Sequence, residues 1–373
     1  MQRLWFGVLV FLLVTAGACT HTASQVSTDA APAAAATTAP AGAPPSLSLV
    51  STMGLLAFAA DAGGMTLKGD SLKDSLEMQK LLETQAFPNI LQHSGRQYDL
   101  VWGPVVNAGP NLKRQLVVDN AMYVARERGT GNYVIGIAGT DARSLRDWLT
   151  DFAIIPVPWP YVTDVGAIST GSLTGLRKLE EMKPHAGTKQ PGVTLAGFLA
   201  SVAGQPVTIY VAGHSLGGAL CEVLGMWLAD TRASWDPGRN ATIVPMSFAG
   251  PTPGNSRWVA HFDAAFRNSG AARVWNENDV VPHAWNKRLM QKLPNLYPGS
   301  PPTIAEQLLI NTATGSANLF DYQQVLGGGT PFQGALDPDV RSYTIQVVRQ
   351  HICAYYAFFG VPAPPSRFCP AAN

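Results

Sequence analysis

Charge is scarce in this sequence. Lys, Arg, Asp and Glu make up 14% of the 373 residues and cancel to a net +1. Ordinary globular domains carry roughly 25% charged residues. The balance leaves no electrostatic basis for nucleic acid as a partner, and the deficit suits a surface that tolerates apolar contact. Cysteine is sparse too: there are four, and no Cys/His pair stands at ligand spacing, which argues against a metal site. No apolar run reaches the about 20 residues that a membrane-spanning helix needs, and no internal repeat is present. What the chain does have is length and 46% apolar residues, enough to bury a large core.

The first residues read as a targeting segment. Arg3 precedes the apolar run Leu4 to Ala16, and Ala16-Gly17-Ala18-Cys19 follows. The run suits the core of a signal peptide, and small residues ahead of a cysteine predict a lipoprotein-like signal over residues 1–18 with Cys19 lipidated. Ordinary cleavage followed by secretion, and an uncleaved anchor, are the alternatives. Residues 19–50 are rich in Ala, Pro and Thr and nearly uncharged. Such a segment buries too little apolar area to offset its ordering entropy, so it is expected to be a tether between membrane and folded domain. The folded domain is expected over 51–373.

Beyond residue 51 strands alternate with helices. The pattern predicts a helix over Ser71 to Ala86, with Ser71 and Asp74 as a capping box and Pro88 past its end. Met122 to Glu127 and Tyr133 to Ala138 read as a hairpin around Gly129-Thr130-Gly131-Asn132. Helices follow near 170–183 and 194–203. Strands are expected over Val207 to Ala212, Thr242 to Phe248, Ala272 to Trp275 and Tyr343 to Val348, the last alternating as an edge strand does. Residues 286–340, rich in Pro and Gly with a short helix near 304–312, read as an insertion over one face. The class implied is α/β, one mostly parallel mixed sheet with helices on both faces.

One stretch carries chemistry. Gly213-His214-Ser215-Leu216-Gly217 stands between an apolar strand and an apolar helix. Glycines at both flanks permit a sharp strand-to-helix turn that exposes the Ser215 hydroxyl beside a helix N-terminus, where negative charge is stabilised. A serine so placed is a candidate nucleophile. An acid and then a histidine should follow it in the chain. Asp279 stands just past the 272–275 strand and is the candidate acid, with Glu277 and Asp263 as lesser ones. Two histidines follow Asp279. His351, after the segment 343–348, is the favoured base, and His283, four residues from Asp279, is the alternative. An oxyanion needs two donors: the Leu216 N–H is one, and Thr140, after the strand that ends at Ala138-Gly139, offers an N–H and a hydroxyl. Of the cysteines, Cys221 reads as buried on the helix after Ser215, while Cys353 and Cys369 are expected to pair.

The pieces IAGTDARSLRDWLTDF, VAGHSLGGAL, SFAGPTPGN, VWNENDVVPH and HICAYY together resemble the fungal-type, or class three, lipases of the α/β-hydrolase superfamily. The resemblance implies a serine ester hydrolase with Ser215 as nucleophile, Asp279 as acid and His351 as base. It also implies Thr140 and Leu216 as oxyanion donors, and Trp148 and Asp151 as supports of the Thr140 loop. Two departures stand out: Ala138 replaces a polar residue, and no His-x-Gly-Phe segment appears within 160–200. Neither a cofactor nor a protein partner is implied. The expected substrate is a lipid or another acyl ester, and the expected location is the cell envelope through Cys19. A phospholipase or polyester esterase on the same residues, and an inactive envelope lipoprotein, are the rival readings. Residues 141–165, which include Trp148, Phe152, Ile154, Ile155 and Trp159, either pack over the sheet edge or face the acyl chain.

Overall fold

The computed structural model describes residues 47–61, 70–110, 116–138, 154–364, 366, 368 and 369. All fall in one compact unit, Pro44–Asn373. Eleven strands occur among them: β1 Tyr98–Pro110, β2 Leu116–Glu127, β3 Tyr133–Ala138, β4 Pro156–Pro158, β5 Ala167–Ser169, β6 Val207–His214, β7 Ala241–Phe248, β8 Gly254–Asn255, β9 Ala272–Asn276, β10 Tyr322–Gln323 and β11 Thr330–Phe332.

The main sheet runs β1-β2-β3-β6-β7-β9-β11. Strands β1 to β3 form an antiparallel meander, and β3, β6, β7, β9 and β11 are parallel. The hairpin between β2 and β3 turns through Gly131 at φ 75°, and the Glu127 N–H donates to the Asn132 carbonyl. Helices cover both faces, as expected of an α/β-hydrolase fold. Along β3 and β6 the buried side chains alternate between two cores, as the two-residue period of a strand requires. Ile135, Ile137, Ile209 and Val211 face a core shared with the helices Thr170–Glu181, Leu195–Val202, Leu216–Asp230 and Ser256–Phe266. Val134, Ala138 and Ala212 face the other, filled by the helices Leu49–Asp61 and Ala354–Phe359. A second small sheet runs β10-β8-β5-β4. Its outermost strand, β4, holds Pro156 and Pro158, which an edge tolerates because proline lacks an N–H.

Several expectations are corrected. The segment Tyr343–Val348 is a helix, not a strand. Its buried residues are Tyr343, Gln346 and Val347, spaced as i, i+3 and i+4, and Ser342 accepts the Ile345 N–H as its cap. Six residues of apolar alternation cannot distinguish strand from buried helix. The cap of the helix Ser71–Leu81 is Asp70, whose side chain accepts the Lys73 N–H while Asp74 accepts the Asp70 N–H. The cap is therefore one residue earlier than the sequence suggested, with Asp74 still the residue that reaches back to it. Pro88 does not follow the helix: a π-turn Leu82–Ala86 continues into Phe87–Ser94, where Pro88 sits in the first turn, and Gly95 in the left-handed region ends it. Within 286–340, β11 joins the main sheet as its last strand rather than lying over one face. Residues from 284–347 form a third cluster in which Trp285, Tyr297, Ile310 and Tyr343 pack together.

The sequence reading did not find several elements. β1 is one. Another is the helix Leu49–Asp61, at the boundary between tether and domain. Every residue from Ser51 to Ala60 is buried, so it is apolar all round and has no amphipathic signal. A Cβ on Gly54 would come 2.2 Å from the Phe359 ring, so only glycine lets this helix pass so close to the C-terminal one. Among the described residues no helix is long and apolar enough to cross a membrane.

Candidate active site

β6 delivers Ser215 at its end. The serine backbone has φ 60° and ψ −129°, a conformation costing of order 1–3 kcal/mol for a residue with a side chain. The turn is held by the Ser215 N–H donating to the Phe248 carbonyl at 3.0 Å and the Gly218 N–H donating to the Ser215 carbonyl at 2.9 Å. Glycine is obligatory at 213, because a Cβ there would lie 1.9 Å from the Gly217 oxygen. The helix Leu216–Asp230 begins at once, leaving its first N–H groups, Leu216 included, without partners inside the helix.

Three side chains that are far apart in sequence meet in a line. His351 Nε2 lies 2.8 Å from Ser215 Oγ, and His351 Nδ1 lies 2.8 Å from Asp279 Oδ2. Asp279 and His351 are buried, at 0% and 1% exposure, while Ser215 is half-buried. With Nδ1 facing a carboxylate, that nitrogen is the donor and Nε2 is left to accept a proton from the serine. Asp279 follows β9, and its carboxylate is fixed on two sides: Oδ1 accepts the Val281 N–H at 3.0 Å, and Oδ2 accepts the Tyr355 hydroxyl at 3.1 Å. His351 sits in a π-turn, Arg349–Cys353, between the helices Tyr343–Val348 and Ala354–Phe359. Single π-turns in a helix recur at functional sites. The disulfide Cys353–Cys369 closes beside it, and Cys221 is buried and free.

The other candidates lie elsewhere. His283 donates from Nδ1 to the Asp279 main-chain carbonyl at 2.6 Å, and burial pushes its pKa down to about 4. It is thus a neutral histidine bracing the acid loop. Asp263 accepts the Leu326 N–H, the Glu277 N–H donates to the Phe332 carbonyl, and the carboxylate on His351 is that of Asp279. Thr140, Trp148 and Asp151 lie outside the described residues. Of the segment 141–165, Trp159 is buried with its Nε1–H donating to Asp230 at 2.7 Å, and Ile154 is buried in the third cluster. Ile155 is open to solvent, at 65%. Sequence reasoning did not find Tyr355, nor the role of His214, whose ring nitrogens contact Asp61 and the His351 carbonyl. Tyr355 stands four residues after His351, one helical turn on, and that spacing is the signal available in hindsight. Among the described residues no group of three or more His, Cys, Asp or Glu side chains is placed to hold a metal ion.

A family model described as lipase (class 3) matches residues 134–288. The crystal structure of M37 lipase superposes with a TM-score of 0.73 at 28% identity, covering 84% of this chain and 94% of that one. A lipase from Rhizopus microsporus var. chinensis gives a TM-score of 0.39 at 17% identity over 65% of this chain and 72% of the other. Lipase II from Rhizopus niveus gives 0.39 at 18%, over 64% and 75%. No curated protein matches the sequence.

Proposed function

Through residues 134–288 the chain belongs to the class 3 lipases, ester hydrolases on an α/β-hydrolase fold, and on that premise we propose that Ser215, His351 and Asp279 form its catalytic triad. The observation that carries this reading is the unbroken line Ser215 Oγ, His351 and Asp279, with both contacts at 2.8 Å. His351 Nε2 takes the Ser215 proton as Oγ attacks the ester carbonyl carbon. The resulting oxyanion is met by the Leu216 N–H and by Thr140. When the carbon–oxygen bond to the alcohol breaks, His351 returns the proton to the leaving alkoxide, and the acyl group stays on Ser215. Water, deprotonated by the same nitrogen, then releases the acid. Asp279 fixes the tautomer throughout and stabilises the protonated ring.

The strain at Ser215 weighs against an inactive binding protein on this fold, since a binder has no use for a serine held at positive φ. The proposed substrate is a lipid or comparable acyl ester. Lipidation of Cys19, with residues 19–50 as a tether to a domain at 51–373, would hold such an enzyme at the envelope. Labelling with a fluorophosphonate probe tests the triad: the wild type should take one label at Ser215 and Ser215→Ala none. A folded wild type that takes no label overturns the reading. Parallel assays on triacylglycerols, phospholipids and a soluble polyester fragment then rank the substrate classes.

A further inference from the structure

His214 directly precedes Ser215 but points to the opposite face of β6, into the core shared with the helix Leu49–Asp61. It is 2% exposed. Its ring stacks on Phe58 with centroids 4.0 Å apart and lies 4.5 Å from the ring of His351. Nδ1 stands 2.7 Å from Asp61 Oδ2, and Nε2 stands 2.9 Å from the main-chain oxygen of His351. A peptide carbonyl only accepts, so Nε2 donates to His351 while Nδ1 faces the Asp61 carboxyl group.

We propose that His214 and Asp61 are positioning residues for the base: His214 grips the His351 main chain and Asp61 keeps His214 turned toward it. The proposal rests on the catalytic reading above. Its physical content is a closed cycle. Ser215 and His351 touch once through Oγ and Nε2, and they are tied a second time through the neighbouring His214 side chain and the His351 carbonyl. The first tie exists only while Ser215 carries its hydroxyl proton. Once Ser215 is acylated, Oγ has no proton to donate and that tie is gone. The second tie persists, and it holds a histidine that must then orient water. His351 has particular need of it because its π-turn is a wide, less regular part of the helix. Asp61 brings the helix Leu49–Asp61, which precedes the family-matched stretch, into the working of the site.

The cycle makes a prediction that a merely structural role does not. Losing the second tie should harm deacylation more than acylation. For an acyl-enzyme that hydrolyses slowly, kcat and KM then fall together while kcat/KM holds. Turnover of a p-nitrophenyl ester should be measured on the full chain and normalised to sites titrated by the fluorophosphonate. His214→Phe keeps the ring stack and removes both ring nitrogens. It should lower kcat by about 10- to 100-fold, the scale of a small misplacement of a catalytic group. Its kcat/KM should stay within about threefold, and His214→Gln, which can still donate to the carbonyl, should recover kcat to within about fivefold. Asp61→Ala should give the same pattern more weakly, and it serves as the second variant if His214→Phe does not fold.

A readout independent of turnover is the downfield proton resonance of the His351–Asp279 hydrogen bond. It should be sharp in the wild type and in His214→Gln, and broadened in His214→Phe. If wild-type Ser215 takes no label, the catalytic reading falls, and the resonance still decides the positioning claim. Unchanged turnover and an unchanged resonance in His214→Phe would overturn it. So would equal damage in the Phe and Gln variants, which would mark His214 as core packing alone.

Discussion

Tyr355 places its hydroxyl 3.1 Å from Asp279 Oδ2, the same oxygen that faces His351 Nδ1. Its hydroxyl oxygen also accepts the Asn276 N–H at 3.0 Å, so one phenol ties the end of β9 to the acid. Tyr355→Phe removes a donor from a buried carboxylate and a partner from a buried N–H, each worth about 1–3 kcal/mol. The expected outcome is a lowered melting temperature together with a fall in kcat of about 10-fold, the equivalent of about 1.4 kcal/mol. Thermal melts and steady-state kinetics on the pure variant check both halves.

The two histidines after Asp279 separate cleanly. His351→Ala should be as damaging as Ser215→Ala, about 10⁶-fold in turnover. His283→Gln should keep most of the activity, because His283 touches the Asp279 main chain and not Ser215. Comparable losses in both variants would mean that His283 takes part in the chemistry.

Burial pushes the Glu222 carboxyl up to about 8, against the attraction of Arg273. The Ser247 hydroxyl also opposes the shift without cancelling it. The folded protein therefore keeps a proton that the unfolded chain releases near 4.5. The unfolded state binds fewer protons between those values, so stability falls as pH rises from 4.5 to 8, by up to roughly 1.4 kcal/mol per pH unit. His283, lowered to about 4, acts oppositely below pH 6.5, and it cancels when variant and wild type are compared at each pH. Glu222→Gln should thus gain on the wild type steadily from pH 5 to pH 8 in urea denaturation. Parallel curves across that range would show that Glu222 is ionised in the fold.

The Cys353–Cys369 bond closes a loop of sequence separation 16 around the helix that carries Tyr355 and Phe359. Replacing both by Ser should cost about 3 kcal/mol in the chain-entropy account. Activity should fall with it at temperatures where the wild type is intact. Denaturation of oxidised and reduced protein measures the difference.

Ile155 is exposed while Ile154 beside it is buried, so the pair should behave differently. Ile154→Ser should destabilise the fold by about 2–5 kcal/mol, as loss of a buried aliphatic does. Ile155→Ser should leave stability unchanged and reduce the ratio of long-chain to acetyl ester hydrolysis. An unchanged ratio would exclude Ile155 from contact with the acyl chain.

Much of the site was legible because its local geometry is written in residue types. Gly213 and Gly217 announce the sharp turn, and the chain order of Ser215, Asp279 and His351 narrows the partners. The segment before His351 was misread as a strand, since Tyr343 to Val348 alternate over too short a stretch for the period to decide. The helix Leu49–Asp61 was missed for a different reason. Its burial on every side comes from packing against β3, β6, β7 and the helix Ala354–Phe359, relations between distant residues that no local pattern records. The contacts of Tyr355, Asp61 and His214 were invisible for the same cause, since packing across the chain sets them.

The meeting of Gly54 and Phe359 also bears on how the enzyme comes into being. Contacts between residues so far apart must overcome loop-closure entropy before they return any stability, and such topologies fold slowly. Ser215, Asp279 and His351 come from well-separated parts of the chain, and the helix beneath them comes from ahead of them all. If His351 is the base proposed above, a nascent chain that has not yet presented residues 351–359 holds no base opposite Ser215. On the proposed triad, hydrolysis is expected only once the helix Ala354–Phe359 has closed onto the helix Leu49–Asp61.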